Sequence, residues 1–391
     1  MDVPAEYQDG REQTFFKHAV LRNYLRSWSQ KLGSISQTGR RVRLWYVDCF
    51  AGPWQSKTED RADTSVAIGM NALEEALATW ADAPAKVEAG AIFVEAKPKS
   101  AAKLKEFLAG RAERGVAWHV LEGEFASQVG SIQQKLGSDA AFLFVDPTGW
   151  KGAGMQFIAP LAAGRVRDVM VNVMFHHINR WKDDPRDFLR EQMRDLFGLG
   201  DADLPPGLDE EQLMALYRRQ LKERAKLGFV ADLAVPHPTV DRTFFRLVVG
   251  GHHAEVVNLF RQVEEKVVGR DAGEVRDQAK SRKREKRTGQ TELILGTPTI
   301  DDRYRSMRDR DLAAALSAVR RRLETEGATL FEQLWPPLLE EGHFTKKHLA
   351  DAVLAEVTAG KLNVRGLQPR EKTIKDGHVI TLPERAAGTR P

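Results

Sequence analysis

The sequence predicts an α/β protein built around an open, mainly parallel sheet. Three observations carry this. Short apolar runs alternate with helical stretches from Val42 to Phe175, the pattern of strands joined by crossover helices. AAFLFV and RDVMVNVMF are near-continuous apolar runs, as strands covered on both faces require. The last two β-like runs, FVADLAVPHPT and RTFFRLVVGG, have only a short turn region between them, which suits an antiparallel hairpin and not a further crossover.

The elements follow in order. FFKHAVLRNYLRSWSQKL places Val20, Leu21, Tyr24, Leu25, Trp28 and Leu32 at helical spacing. The first strand is expected over Val42 to Val47, and a helix from Ser65 to Trp80. AIFVEA reads as a strand, and KSAAKLKEFLAG as a helix stopped by Gly110. VAWHVLEG is a strand, FASQVGSIQQKL a helix, then AAFLFVDP and RDVMVNVMF are strands. A polar helical insertion over one sheet edge is expected at about 183–227, then the hairpin and a closing helix, AEVVNLFRQVEEKV. This first domain spans 1–268, followed by a basic linker at 269–310 and a tail unit at 311–391. In the tail, DRDLAAALSAVRRRLETE, TLFEQLWPPLLEEG and TKKHLADAVLAEVTAG read as helices. Two β-like pieces follow in KLNVRGLQPREKTIKDGHVITLP. Three helices and a two-stranded wing outline a winged helix.

Composition narrows the function classes. The chain has 391 residues, 42% hydrophobic and 29% charged, ordinary for a globular protein. No apolar run approaches the ~20 residues of a membrane span. The single cysteine, Cys49, excludes an internal disulfide and a cysteine-based zinc cluster. The amino terminus lacks a secretory pattern, so the cytoplasm is the expected location. The net charge is +4, and Arg276 to Arg287 carries seven basic residues against two acids. That run is either a solvated linker or a phosphate contact.

Ligands of open α/β sheets sit beyond the carboxyl ends of the strands. Four such ends here are acidic. The first is Asp48-Cys49-Phe50-Ala51-Gly52, whose small residues let backbone N–H groups face a ligand. The second ends at Glu95-Ala96, an acid able to accept both hydrogen bonds of a ribose diol. The third runs into Glu122-Gly123-Glu124-Phe125, an acid beside an aromatic ring that suits an adenine. The fourth is Asp146-Pro147-Thr148-Gly149, where a reacting group would meet the cofactor. No G-x-G-x-x-G joins strand to helix, which argues against a nicotinamide enzyme.

At these residues the chain resembles a class I S-adenosylmethionine (SAM) dependent methyltransferase. More narrowly, it resembles the three-Cys-motif partner (TcmP) family. FFKHAVLRNYLRSW, YVDCFAGP, IFVEAKP, LEGEF, FLFVDPTG, HHINRW and RTFFRLVVGGHH carry the resemblance, with the winged-helix tail. It implies a Rossmann-like seven-stranded sheet with a terminal antiparallel hairpin, and SAM as cofactor. By the same resemblance Asp48, Phe50, Ala51, Gly52 and Pro53 hold the methionine part, Glu95 with Ala96 the ribose, and Glu124 with Phe125 the adenine. Asp146 to Gly149 falls where amino-methyltransferases carry Asp-Pro-Pro-aromatic. Here Thr148 replaces the second proline, Gly149 the aromatic, and Trp150 comes one place later. This D-P-x-G form also resembles guanine-N2 tRNA methyltransferases. Trp54 stands where relatives usually carry glycine.

The expected partners are nucleic acid and a three-Cys-motif, radical-SAM-like protein. Arg282, Lys283 and Arg284 in the linker, with Lys346, Lys347, Arg365 and Lys372 in the tail, are the candidate phosphate contacts. Lys17 and His18 lie either on a solvated helix face or over the cleft. His176, His177, Asn179 and Arg180 follow the fifth strand, in a substrate-facing or structural role, and no metal is expected. Three readings stay open: a methyltransferase acting on a nucleic-acid base amine, a small-molecule or protein methyltransferase, and a non-catalytic partner with an empty cleft.

Overall fold

The computed structural model describes residues 4, 7, 12–52, 56, 58, 61–237, 242–271, 275, 278, 281, 284, 285 and 302–383. The expectations resting on Pro53, Trp54, Arg282 and Lys283 lie outside the described residues.

Helix α1 (Glu12–Gly33) precedes strand β1 (Val42–Asp48). Next come α2 (Ser65–Thr79), β2 (Val87–Glu95), α3 (Pro98–Ala109), β3 (Ala117–Glu122), α4 (Phe125–Leu136) and β4 (Ala140–Val145). They are followed by α5 (Met155–Ala162), β5 (Arg167–Val173), α6 (Phe175–Trp181), α7 (Asp187–Phe197) and α8 (Glu210–Arg224). The hairpin is β6 (Phe229–Pro236) and β7 (Thr243–Gly251), and α9 (Glu255–Glu264) closes the unit. The sheet order is β3-β2-β1-β4-β5-β7-β6. β1 to β5 pair in parallel, while β7 runs antiparallel to both β5 and β6. This is the seven-stranded, Rossmann-like methyltransferase sheet with a terminal antiparallel hairpin. Strand order reverses between β1 and β4, which places the ligand crevice at their carboxyl ends.

Strand alternation feeds two faces. Tyr46, Phe93 and Phe142 pack with α1, α2 and α9 on one face. Trp45, Val47 and Leu143 pack with α4, α5, α7 and α8 on the other. The helical insertion is α7 and α8. A capping box starts α8: Asp209 accepts from the Gln212 N–H, and Gln212 accepts from the Asp209 N–H.

The tail comprises α10 (Asp302–Glu326), β8 (Thr329–Leu330), α11 (Phe331–Glu341), α12 (Lys346–Thr358), β9 (Asn363–Arg365) and β10 (Val379–Thr381). α10 begins inside the stretch expected to be linker. Thr329 and Leu330, expected in a helix, are extended and pair with β10, giving a small sheet of order β8-β10-β9. The tail's Phe331, Leu334, Trp335 and Leu339 are buried in the same core as α1, α2 and α9. The tail therefore shares a core with the first unit.

That seam is dense in charge. Arg261, on α9, is fully buried. Its guanidinium donates to the Leu339 carbonyl at 2.9 Å, the Asp232 carbonyl at 2.9 Å, the Glu264 carboxylate at 2.7 Å and the Glu340 carbonyl at 3.1 Å. Asp232 is held by Arg218 and, at 2.5 Å, by Arg246. Those two cations keep its pKa at about 2 against the upward push of burial. Glu340 accepts from the Val230 N–H at 2.8 Å and from Lys222 at 2.6 Å. The tail thus covers part of edge strand β6.

Candidate functional site

The turn after β1 is stitched to both neighbouring strands. The Cys49 N–H donates to the Phe144 carbonyl at 2.9 Å and the Ala51 N–H to the Val94 carbonyl at 2.8 Å. Phe50 and Gly52 are left lining a cleft, while Ala51 is buried beneath it. Asp48, expected against the methionine part, is not among the cleft residues. It is fully buried and faces the start of α2. Its carboxylate accepts from Phe50 N–H at 3.1 Å, Ser65 Oγ at 2.6 Å and Tyr46 Oη at 3.4 Å. Burial lifts its pKa to about 6, against the pull of those bonds. Asp48 shapes the turn; the alternation of the strand points its side chain away from the cleft.

Glu95 ends β2 and is buried. Its Oε1 accepts from the Lys97 N–H at 2.7 Å. Its Oε2 is buried without a hydrogen-bond partner. Gly52 lies directly against that oxygen, since a Cβ on residue 52 would stand 1.4 Å from it. Only glycine permits this approach. Across the cleft, Glu124 occupies the N-cap position of α4, yet its side chain makes no capping bond. Phe125 is buried behind it, its ring 5.4 Å from that of Phe50. Cys49, Val94, Ala96, Lys97 and Gly123 complete this side, and Asp146 and Thr148 the other. The cleft encloses about 200 Å³ and is open to solvent.

At the reacting end, Asp146 is gripped from two sides. Lys17 Nζ lies 2.5 Å from its Oδ2, and Asn172 Nδ2 donates to its Oδ1 at 2.7 Å. Lys17 therefore lies at the cleft, not on a solvated face. His18 is buried beside Tyr7, whose hydroxyl is 3.1 Å away. Pro147 is buried, and neither it nor Gly149 lines the cleft. Asn172, in the middle of apolar β5, was not singled out in the sequence. A lone amide in VMVNVMF was the available signal. Its Oδ1 is also buried without a partner.

Beyond Asp146, Trp150 donates from Nε1 to Gln192 of the helical insertion at 2.7 Å. His176 Nδ1 lies 3.1 Å from the Phe244 carbonyl. Because that acceptor is a carbonyl, Nδ1 carries the proton. His252 and His253 sit at the far end of β7, His252 Nε2 being 3.2 Å from the Ala162 carbonyl. Among the described residues, no group of three or more His, Cys, Asp or Glu side chains is placed to hold a metal ion. No helix among them is long and apolar enough to cross a membrane.

The tail cations divide. Lys346 is turned inward, 2.7 Å from Asp376 and over the Trp335 ring at 4.6 Å. Lys347 is exposed but paired with Asp351 at 2.5 Å. Arg365 and Lys372 are exposed, with no ion-pair partner among the described residues. Arg284 is also exposed.

A second cavity, about 590 Å³ and mainly apolar, lies at the opposite end of the sheet. Trp28, Leu32, Val166 and Leu259 line it, with Asp168 at its wall. It is larger than the cleft but far from the four acidic strand ends. The chemistry follows the smaller cleft, where the unpaired carboxylate oxygen is.

No protein-family model matches the chain, and no curated protein matches it. Among solved structures it is similar to a protein from Legionella pneumophila at 10% identity, over 63% of this chain and 92% of that one, with a TM-score of 0.34. A candidate O-methyltransferase from Klebsiella pneumoniae is 11% identical over 60% of this chain and 88% of that one, at a TM-score of 0.28. WbdD is 12% identical over 64% of this chain and 46% of its own, less than half its length, at a TM-score of 0.30. At these values the likenesses carry no information on activity or substrate.

Proposed function

We propose that the chain is a SAM-dependent methyltransferase of the three-Cys-motif partner type, acting on an amine of a nucleic-acid base. The observation that carries this is the buried, unpartnered Oε2 of Glu95 against Gly52. A buried carboxylate oxygen left without a donor costs roughly 1–3 kcal/mol or more. A ligand hydroxyl pair removes that cost. The residues fit a nucleoside: Glu95 for the ribose, Phe50, Glu124 and Phe125 for the adenine, and the Cys49–Gly52 turn for the methionine side. When bound, SAM supplies a sulfonium methyl group.

This chain's own residues do the positioning, which supplies most of the acceleration in such a transfer. Asn172 fixes one oxygen of Asp146 and so turns the other toward the cleft. That oxygen accepts a hydrogen bond from the target amine and aims its lone pair. Lys17 holds the same oxygen at 2.5 Å, keeping the carboxylate in place until the amine arrives. The order helix, strand, helix, helix, strand, strand over 302–381 supports the winged-helix reading of the tail. Its exposed Arg365 and Lys372 are the phosphate contacts best placed for a polymer. A reducing cytoplasm suits the single, buried Cys49.

The test is labelled-methyl transfer from SAM to total nucleic acid and, separately, to lysate protein. Label in nucleic acid that disappears with Asp146→Ala is the expected result. Label in protein alone would move the substrate class. No calorimetric SAM binding at millimolar concentration would favour the non-catalytic partner of a radical-SAM-like protein.

A further inference from the structure

Past Asp146, outside the residues that line the cleft, lies a row of rings. Trp150 lies in the loop that Asp146 opens, its centroid 6.0 Å from that of His177. His177 is 3.9 Å from His176, and His176 stacks on Phe244 at 4.5 Å and 22°. His237 continues the row, 5.5 Å from Phe244. The row crosses the ends of β5 and β7, and each of these rings is only half-buried. It is also anchored, through Trp150 Nε1 to Gln192 and through His176 to the Phe244 carbonyl. His176 is held below its ordinary pKa, first by partial burial and then by His177, Arg242 and His237. Its ring is therefore neutral near pH 7 and packs as an aromatic.

Two exposed guanidinium groups flank the row. Arg180 lies over the Trp181 ring at 4.8 Å, and Arg242 stands beside His176. Neither has an ion-pair partner among the described residues. Anchored rings flanked by exposed cations suit a single-stranded nucleic acid, since every base has a face to stack and every phosphate a charge to meet. A duplex docking surface would instead present a basic helix. The outward side of α12 offers only Lys347, paired with Asp351, and then Ala355 and Thr358.

We propose that Trp150, His177, His176 and Phe244 form a stacking platform for an unpaired nucleobase entering the cleft from a single strand. The platform rests on the reading of Asp146 as the reacting end, and supplies the ring contact that Gly149 cannot.

The test uses the full chain and fluorescence anisotropy with labelled twelve-nucleotide single strands, as DNA and RNA, against an abasic strand of equal length. Stacking contributes about 1–3 kcal/mol per base, roughly five- to 150-fold. Base-bearing strands should bind at least tenfold tighter than the abasic strand. Trp150→Ala and His176→Ala should each remove most of that preference while SAM affinity holds and the circular dichroism of the folded chain is kept. His177→Ala serves if either variant fails to fold. Equal binding of abasic strands, tighter binding of duplex, or an unchanged preference in the folded variants would overturn the platform. SAM binding is read separately. Its absence in the wild type would sink the methyltransferase reading, whereas a base preference that survives these substitutions sinks only the platform.

Discussion

The cleft at the ends of β1, β2 and β4 and the seam between β6, α9 and α11 treat buried charge in opposite ways. At the seam, Arg261 meets four acceptors, Asp232 two guanidinium groups, and Glu264 both Arg261 and His343, at 2.7 Å each. At the cleft, Glu95 keeps one oxygen unpaired and Asn172 another. An orphan atom alone does not mark a site. Tyr217 Oη and Trp80 Nε1 are also buried and unpaired, but they are neutral donors and neither lines the cleft. The difference teaches where the molecule keeps free energy in reserve. A saturated network holds elements together; an unsaturated carboxylate in a crevice waits for a donor.

The largest effect should come from breaking the seam. Arg261→Met strands the Glu264 charge and several carbonyls in a dry interior. A loss of about 3–5 kcal/mol is expected, read from urea unfolding, with SAM affinity of the remaining folded protein unchanged. A loss below about 1 kcal/mol would mean the network is ornamental and the comparison false. The converse substitution is at the cleft. Glu95→Gln keeps the bond to the Lys97 N–H but removes the unpaired charge. SAM affinity should fall at least tenfold, about 1.4 kcal/mol, while the thermal midpoint holds or rises. A fall in the midpoint with affinity intact would reverse the assignment.

A separate effect, on the pH dependence of stability, concerns Asp168, at the wall of the larger cavity. Among the described residues its hydrogen-bond donor is Tyr24 Oη, at 3.0 Å, and burial pushes its pKa up to about 7. The folded chain thus holds this proton to higher pH than the unfolded chain, whose aspartates ionise near 3.9. Stability from this group falls as pH rises from about 4 through 7, then levels. Asp168→Asn should flatten part of that slope, raising the midpoint at pH 8 and leaving it unchanged near pH 4. Differential scanning across that range decides. Asp48, with the same sign, keeps the remainder of the slope.

Much of the fold was legible because local rules agree with the tertiary result. FASQVGSIQQKL forms α4 from first residue to last, and the short turn after β6 does make a hairpin. The helix Met155–Ala162 has no counterpart in the sequence reading. It is apolar nearly all round because it is packed between the sheet and the insertion, and Pro160 sits within it. HHINRW forms a short helix that carries part of the ring row. Among the site residues, Glu95, Glu124 and Asp146 could be read as acids at strand ends, and all three line the cleft. Asp48 reads the same way yet lies behind it, since strand alternation turns its side chain toward α2.

The sequence by itself determined the order of elements, the antiparallel close of the sheet and the rim where acids gather, because periodicity and strand ends are local properties. Only the tertiary structure decided which of those acids face the cleft, that Lys17 and Asn172 converge on Asp146, and that the tail shares the first unit's core. Those outcomes depend on residues up to 129 positions apart in the chain. They also depend on side-chain direction at a single Cβ, which no run of neighbouring letters encodes.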